Sequence, residues 1–312
     1  MINVAFRIFS RRRKLISMAG RLLAAGVFAP AIFGAETAPR RELTAGVRDT
    51  GADAGPAVRA NHVIAGLNLE LVWIGAGAFT MGSAAEEPER NKAEGPRMLV
   101  TLTKGYWLGK TEVTQAQYEA VMGTNPSTLK TSGPDAPVDR VSWIDAMAFC
   151  RKLTEQEGTA GHLPEGYAFT LPTEAQWEYA CRAGTTGSYV GEPDAMAWHK
   201  NNSGETTHPV GTKKPNAWGF YDMSGNVLEW CLDWYGDYPG GAVADLTGPE
   251  RGYYRMARGG SWRTDARQGR SAARSGGSAG RLDYTLGFRL ALGAVEPSSR
   301  VEPRLEGLPA AK

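Results

Sequence analysis

Arg258-Gly259-Gly260-Ser261-Trp262 opens a segment that closes on Leu286-Gly287-Phe288-Arg289, and the reading of the whole chain turns on it. The segment holds seven arginines (Arg258, Arg263, Arg267, Arg270, Arg274, Arg281 and Arg289) against two acids, Asp265 and Asp283. Guanidinium groups are fork-shaped donors that match carboxylate or phosphate, so an acidic ligand over this surface is one expectation and internal ion pairing is the other. Around it the chain beyond Gly184 is rich in Gly, Asn and Trp, with short apolar runs and no internal repeat.

The part before Gly184 is more regular. Leu67 to Met81 carries β-branched and aromatic residues punctuated by Gly and reads as a strand pair or one bent strand, with further short strands at Val100-Thr101-Leu102 and Tyr106-Trp107-Leu108-Gly109. Thr114 is placed to cap a helix ending near Gly123, Ser142 with Asp145 to cap a second, and Thr173 with Gln176 to cap a third that stops at Gly184. Trp143, Ala146, Met147, Cys150 and Leu153 fall at helical spacing, which puts Cys150 on an apolar face, and Cys181 shares a face with Trp177 and Ala180. Helices early and loop-rich short strands late imply an α+β domain with much irregular backbone.

The chain of 312 residues is 42% hydrophobic and 22% charged, which fits one large or two modest domains, and the spread of motifs from Leu71 to Arg289 favours one. Its net charge of +2 comes from the N-terminus, where residues 1–35 hold six basic side chains and no acid; the remainder has 29 Lys and Arg against 33 acids. Nothing in that balance suggests nucleic-acid binding. The N-terminus itself reads as an export signal over residues 1–35: a basic stretch, the apolar run Leu22 to Phe33, then Gly34 and Ala35. That run is too short to span a bilayer, and Ser10-Arg11-Arg12-Arg13-Lys14-Leu15-Ile16 resembles a twin-arginine signal. The expected location is therefore periplasmic or secreted. Residues 36–65 and 294–312 read as a flexible linker and tail around a domain over 66–293.

Five motifs in order identify a resemblance: Val72-Trp73-Ile74-Gly75 running to Phe79-Thr80-Met81-Gly82-Ser83; Leu171-Pro172-Thr173-Glu174-Ala175-Gln176-Trp177-Glu178-Tyr179; Gly225-Asn226-Val227-Leu228-Glu229-Trp230; the Gly-Gly-Ser-Trp stretch; and Leu286 to Arg289. Together they resemble the formylglycine-generating enzyme (sulfatase-modifying factor) family, which implies a loop-rich variant of the C-type lectin fold. In members that oxidise a sulfatase cysteine, two thiolates after the Gly-Gly-Ser motif hold copper. The matching positions here are Thr264 and Gly269. Copper(I) selects thiolate sulfur over harder oxygen donors, which argues against that reaction here.

The same resemblance implies a structural calcium ion held by Asn226, the Val227 backbone and Glu229, oxygen donors that suit a hard cation. A second calcium loop would involve Asn201 and Asn202. It also makes Arg258, Arg274 and Arg289 scaffold, leaving Arg263, Arg267, Arg270 and Arg281 as ligand candidates. Ser261, Trp230 and Trp234 are expected beside the groove, with Thr285 where formylglycine-generating relatives carry a substrate-contacting asparagine. Disulfides of secreted relatives would need cysteines at Leu290 and Ser271, so Cys150, Cys181 and Cys231 are not assigned to them. The four histidines form no short metal-binding pair, and neither haem nor non-haem iron is expected. Ser261 has no adjacent base in sequence and reads as a loop-shaping residue. The functional expectation is a peptide, glycan or protein ligand on the loop face. The rivals are an enzyme modifying a peptide-like substrate, as in siderophore maturation, and a hypervariable receptor of the diversity-generating retroelement type.

Overall fold

The computed structural model describes residues 60–295. The expected export signal, most of the linker and the tail beyond residue 295 lie outside them. The first strands are β1 (His62–Ile64), β2 (Leu69–Ile74), β3 (Gly77–Met81), β4 (Met98–Leu102) and β5 (Tyr106–Gly109). Helices α1 (Gln115–Met122) and α2 (Trp143–Thr159) follow, then β6 (Tyr167–Thr170), α3 (Glu174–Arg182) and the single turn α4 (Pro193–Met196). The C-terminal part supplies β7 (Leu228–Trp234), β8 (Ala242–Ala244), β9 (Arg255–Arg258), β10 (Arg274–Gly277), β11 (Leu286–Gly287) and β12 (Ala291–Ala294). Few helices, many short strands and long connections make this an α+β, loop-rich fold.

A five-stranded sheet runs β1-β2-β5-β12-β6, so β5 joins the early strand β2 to the last strand β12. A four-stranded sheet runs β10-β9-β7-β11 and a three-stranded one β3-β4-β8. The stretch read as one strand pair is thus divided, β2 lying in the first sheet and β3 pairing with β4 in the third. β1 falls inside the stretch read as linker: three residues are too few to show a period, yet Ile64 is buried and pairs with Leu69 of β2.

The helix starts follow from their caps. Thr114 accepts the Gln117 N–H at 3.2 Å while the Gln117 side chain accepts the Thr114 N–H at 2.9 Å, and the same reciprocal pair recurs at Ser142/Asp145 and Thr173/Gln176. α3 ends at Arg182, two residues before Gly184, with Ala183 itself left-handed at φ 45°. The cap at Thr173 places Glu174 and Glu178 on the buried side of α3, which decides where the arginines of the C-terminal segment go.

Two apolar cores flank the five-stranded sheet. One gathers Phe149, Cys150 and Leu153 of α2 with Phe288, Leu290 and Trp230; the other gathers Trp177 and Cys181 of α3 with Phe220, Met223 and Cys231. All three cysteines are free and buried. Burial pushes their thiols up, that of Cys181 to about 11, so they remain protonated at neutral pH.

Candidate functional site

The C-terminal segment has an inner and an outer side. On the inner side Arg258 and Arg289 are fully buried. Arg258 pairs with Glu178 and donates through Nη1 to the Ser271 and Ala273 carbonyls at 2.9 and 2.8 Å. Arg274 grips Glu174 with two bonds of 2.7 and 2.9 Å. Arg289 grips Glu229 through Nε and Nη2, both at 2.6 Å, and donates to the Gly109 and Tyr221 carbonyls. Burial, the largest single influence, would lower the Arg289 pKa, but the charge and hydrogen bonds of Glu229 together with the Glu112 and Asp222 charges outweigh it and the pKa rises. Charges this deep are tolerated because nearly every donor has an oxygen to meet.

Arg270 belongs to this inner group, which corrects its reading as a ligand candidate. Its side chain is 4% exposed and closes on Glu94 with bonds of 2.7 and 2.6 Å, with Glu87 at 2.8 Å. Burial opposes its charge, yet these two carboxylates hold its pKa above the ordinary arginine value. Trp230 is likewise corrected: it is wholly buried and donates Nε1–H to the Val141 carbonyl at 2.9 Å, so it lines no groove. Trp234 stacks against the Arg255 guanidinium at 3.5 Å, which Trp143 covers from its own side at 3.7 Å.

Asn226 and Glu229 sit where the calcium reading needs them free, and they are engaged. The Asn226 side-chain oxygen accepts the His208 N–H at 3.0 Å, and its amide donates to Glu112 at 2.7 Å and to the His208 carbonyl at 3.2 Å. The Val227 N–H donates to the other Glu112 oxygen at 2.9 Å. Glu229 accepts from Trp177 Nε1 at 2.7 Å as well as from Arg289. Calcium needs six to eight oxygen ligands, and a cation at Glu229 would have to displace a guanidinium already neutralising it. The residues as placed do not fit a shared calcium ion. Asn226 also takes a left-handed turn at φ 57°, a conformation Asn tolerates well. Asn202 is bound into its own loop, its side chain accepting the His199 N–H at 2.8 Å and donating to the Ala197 carbonyl at 3.0 Å.

The outer side carries a groove of about 760 Å³ lined by Thr128, Leu129, Lys200, Asn201, Ser203, Glu205, Trp262, Arg263 and Tyr284. Four stretches of chain line it, and hydrogen bonds to backbone groups tie three of them together. The Lys200 N–H donates to the Thr264 carbonyl at 3.0 Å, and the Trp262 N–H to the Asn226 carbonyl at 2.8 Å. Trp262 Nε1 reaches the Tyr284 carbonyl at 3.2 Å, and Ser203 Oγ the Trp262 carbonyl at 2.8 Å. Of the expected ligand residues, Arg263 lines this groove, as does Asn201, which was expected in a calcium loop. Arg281 is paired with Asp283 at 2.6 Å, and Arg267 lies 3.9 Å from Asp265. Thr285 donates its hydroxyl to Asp283 at 2.6 Å.

Ser261, the residue before Trp262, is fully buried and does not line the groove. Its N–H donates to Thr264 Oγ1 at 2.8 Å, its carbonyl accepts from the same hydroxyl at 3.1 Å, and its own Oγ accepts the Arg263 N–H at 3.4 Å. Among the described residues no histidine or carboxylate bonds to its hydroxyl, so nothing activates it as a nucleophile. Thr264 therefore shapes the turn where the resemblance places one thiolate. At the other position Gly269 packs so closely that a Cβ would lie 3.3 Å from the Ser224 Cβ. Neither position supplies a sulfur donor, so the residues present do not fit a copper–thiolate centre.

Sequence reading missed Lys200, Glu205, Trp262 and Tyr284 as groove residues, and Glu112 as the anchor of Asn226. Trp262 stood in the quoted motif itself, while Lys200 and Glu205 come from a loop whose approach to the motif has no local signature. Burial pushes the Glu112 carboxyl well above the usual carboxylate range, and the charges of Asp222 and Glu229 push the same way.

Known proteins share the fold. The chain is 33% identical over 240 residues to the chaperone protein LppX of Paenibacillus barcinonensis, covering 62% of this chain and 78% of that protein. It is 34% identical over 183 residues to the formylglycine-generating enzyme of Streptomyces coelicolor, covering 52% of this chain but only 54% of the enzyme. Among solved structures, Treponema denticola variable protein 1 superposes with a TM-score of 0.66 at 31% identity, over 74% of this chain and 98% of that one. PvdO from Pseudomonas aeruginosa gives 0.66 at 25% identity, over 75% and 98%. The profile of the sulfatase-modifying factor enzyme 1-like domain matches residues 63–294, and the chain belongs to that family.

Proposed function

We propose that this protein is an exported member of the family that binds a peptide, glycan or protein ligand in the outer groove, without copper–thiolate chemistry. The observation that carries the reading is the groove of about 760 Å³ with Trp262, Arg263 and Tyr284 on its wall, next to a Thr264 that shapes a turn instead of holding a metal. The likeness to a protein named as a chaperone supports a protein or peptide occupant over a glycan. No helix among the described residues is long and apolar enough to cross a membrane, a fact compatible with export. Immobilised native protein and Trp262→Ala are to be screened on peptide and glycan arrays. Ligands retained by the native protein and lost in the variant support the groove; binders that ignore the substitution, or no binder of either class, contradict it.

A second reading, an enzyme modifying a peptide-like substrate, draws on the likeness to PvdO, and a variable receptor on that to variable protein 1. Mass spectrometry of candidate peptides after incubation separates the enzyme reading, since a ligand-binding protein returns them unchanged.

A further inference from the structure

Seven guanidiniums crowd one segment, and the structure sorts them by partner. Arg258, Arg270, Arg274 and Arg289 are closed on buried carboxylates, and Arg281 and Arg267 face Asp283 and Asp265. Arg263 is exposed and meets no carboxylate among the described residues. Its guanidinium lies 5.2 Å from the centre of the Tyr284 ring. A cation over a ring uses the attraction of its flat face, which leaves the in-plane N–H fork free for an anion.

Lys200 has the same standing. It is exposed, lines the same groove, and its ammonium has no ion-pair partner among the described residues. The two cations come from distant segments, yet the Lys200 N–H is tied to the carbonyl of Thr264, the residue after Arg263, and Thr264 is tied in turn to Ser261. Their backbones are therefore fixed relative to each other. Beside them stand Trp262, 6% exposed and locked by its bond to the Tyr284 carbonyl, and the Tyr284 ring, 36% exposed. Leu282, two residues before Tyr284, is 54% exposed.

Resting on the groove reading above, we infer that its ligand is a peptide strand carrying a carboxylate side chain beside an aromatic or large apolar one, the carboxylate held by Arg263 and Lys200 and the neighbour laid against Trp262 and Tyr284. Paired cations with no internal counter-ion confer charge selectivity, and the fork of Arg263 matches the two oxygens of a carboxylate. Glu205 on the same wall repels a second acid, which limits the preference to one acidic position.

The test is calorimetric titration of the full chain with two capped hexapeptides, identical except for Asp-Trp or Asn-Trp at the centre. The native protein should bind the Asp peptide at least tenfold more tightly. That advantage should disappear in Arg263→Ala, shrink in Lys200→Ala and weaken with added salt, with all three proteins melting together. Equal affinity for the two peptides, with loss of both in Trp262→Ala, overturns the anion clamp while leaving the groove reading intact. Binding of neither peptide at millimolar concentration overturns the clamp, and with the array screen also negative the groove reading falls too.

Discussion

Arg289 and Arg263 belong to one short segment and do opposite work. Arg289 is wholly buried, held by four hydrogen bonds to Glu229, Gly109 and Tyr221, while Arg263 is exposed on a tyrosine ring and meets no carboxylate among the described residues. The residues through which the chain declares its family are mostly of the first kind: Arg258, Glu229, Trp230 and Arg289 are all fully buried. Family membership therefore reports how the loop-rich half is held together. On the proposed reading, ligand choice rests on residues of the second kind, of which Arg263 follows the Gly-Gly-Ser-Trp motif directly and Lys200 lies in a separate loop.

The sharpest way to break this contrast is to cut the inner network. Removing one partner of a buried pair leaves an uncompensated charge, a loss on the order of 3–5 kcal/mol. Arg289→Ala should lose that much in denaturant unfolding, and Glu229→Gln should lose much of it too, because the amide presents a donor to Arg289 where a carboxylate oxygen stood. Native protein should melt at the same temperature in calcium and in chelator, since Glu229 is neutralised by Arg289; a chelator-dependent drop that Glu229→Gln abolishes would make Glu229 a cation ligand instead. Arg270→Ala comes next, releasing Glu87 and Glu94 at the edge of the network, and its unfolding free energy should fall by less than that of Arg289→Ala.

A smaller effect separates the inner region by pH. Asp233 is buried beside Glu174, and burial first, then that charge, raises its pKa to about 7 from 3.8, against the opposing charge of Arg274. Asp222 is raised to about 6 by burial, with Arg289 opposing. A carboxyl raised on folding adds stability that is fully present below about 4 and lost as pH rises through 6 and 7. Asp233→Asn should therefore flatten the stability profile between pH 4 and 7, read by urea unfolding across that range. An unchanged slope would mean that Asp233 titrates at its ordinary value.

How much of this was legible in the sequence differs between the same two regions. Capping pairs at Thr114, Ser142 and Thr173 announced the helices because a cap is a local contact three residues long. The pairing of Arg258, Arg274 and Arg289 inside the scaffold was readable by resemblance. The misplacement of Trp230 has a physical cause: β7 lies between β9 and β11 and buries Glu229, Trp230 and Cys231 in succession, so alternation gives no inward or outward face. Arg270 was misread because its partners Glu87 and Glu94 lie more than 170 residues away, a separation that no local pattern spans. The groove was half legible, Arg263 by its place in the motif, Lys200 and Glu205 not at all.

The smallest effect on stability belongs to Arg263→Ala, an exposed change expected to stay within about 0.5 kcal/mol. Urea unfolding of Arg263→Ala and Arg289→Ala side by side at neutral pH tests the division between the two regions most directly. The division predicts a curve for Arg263→Ala that overlays the native one and a loss on the order of 3–5 kcal/mol for Arg289→Ala; equal losses in both variants, or none in Arg289→Ala, would contradict it.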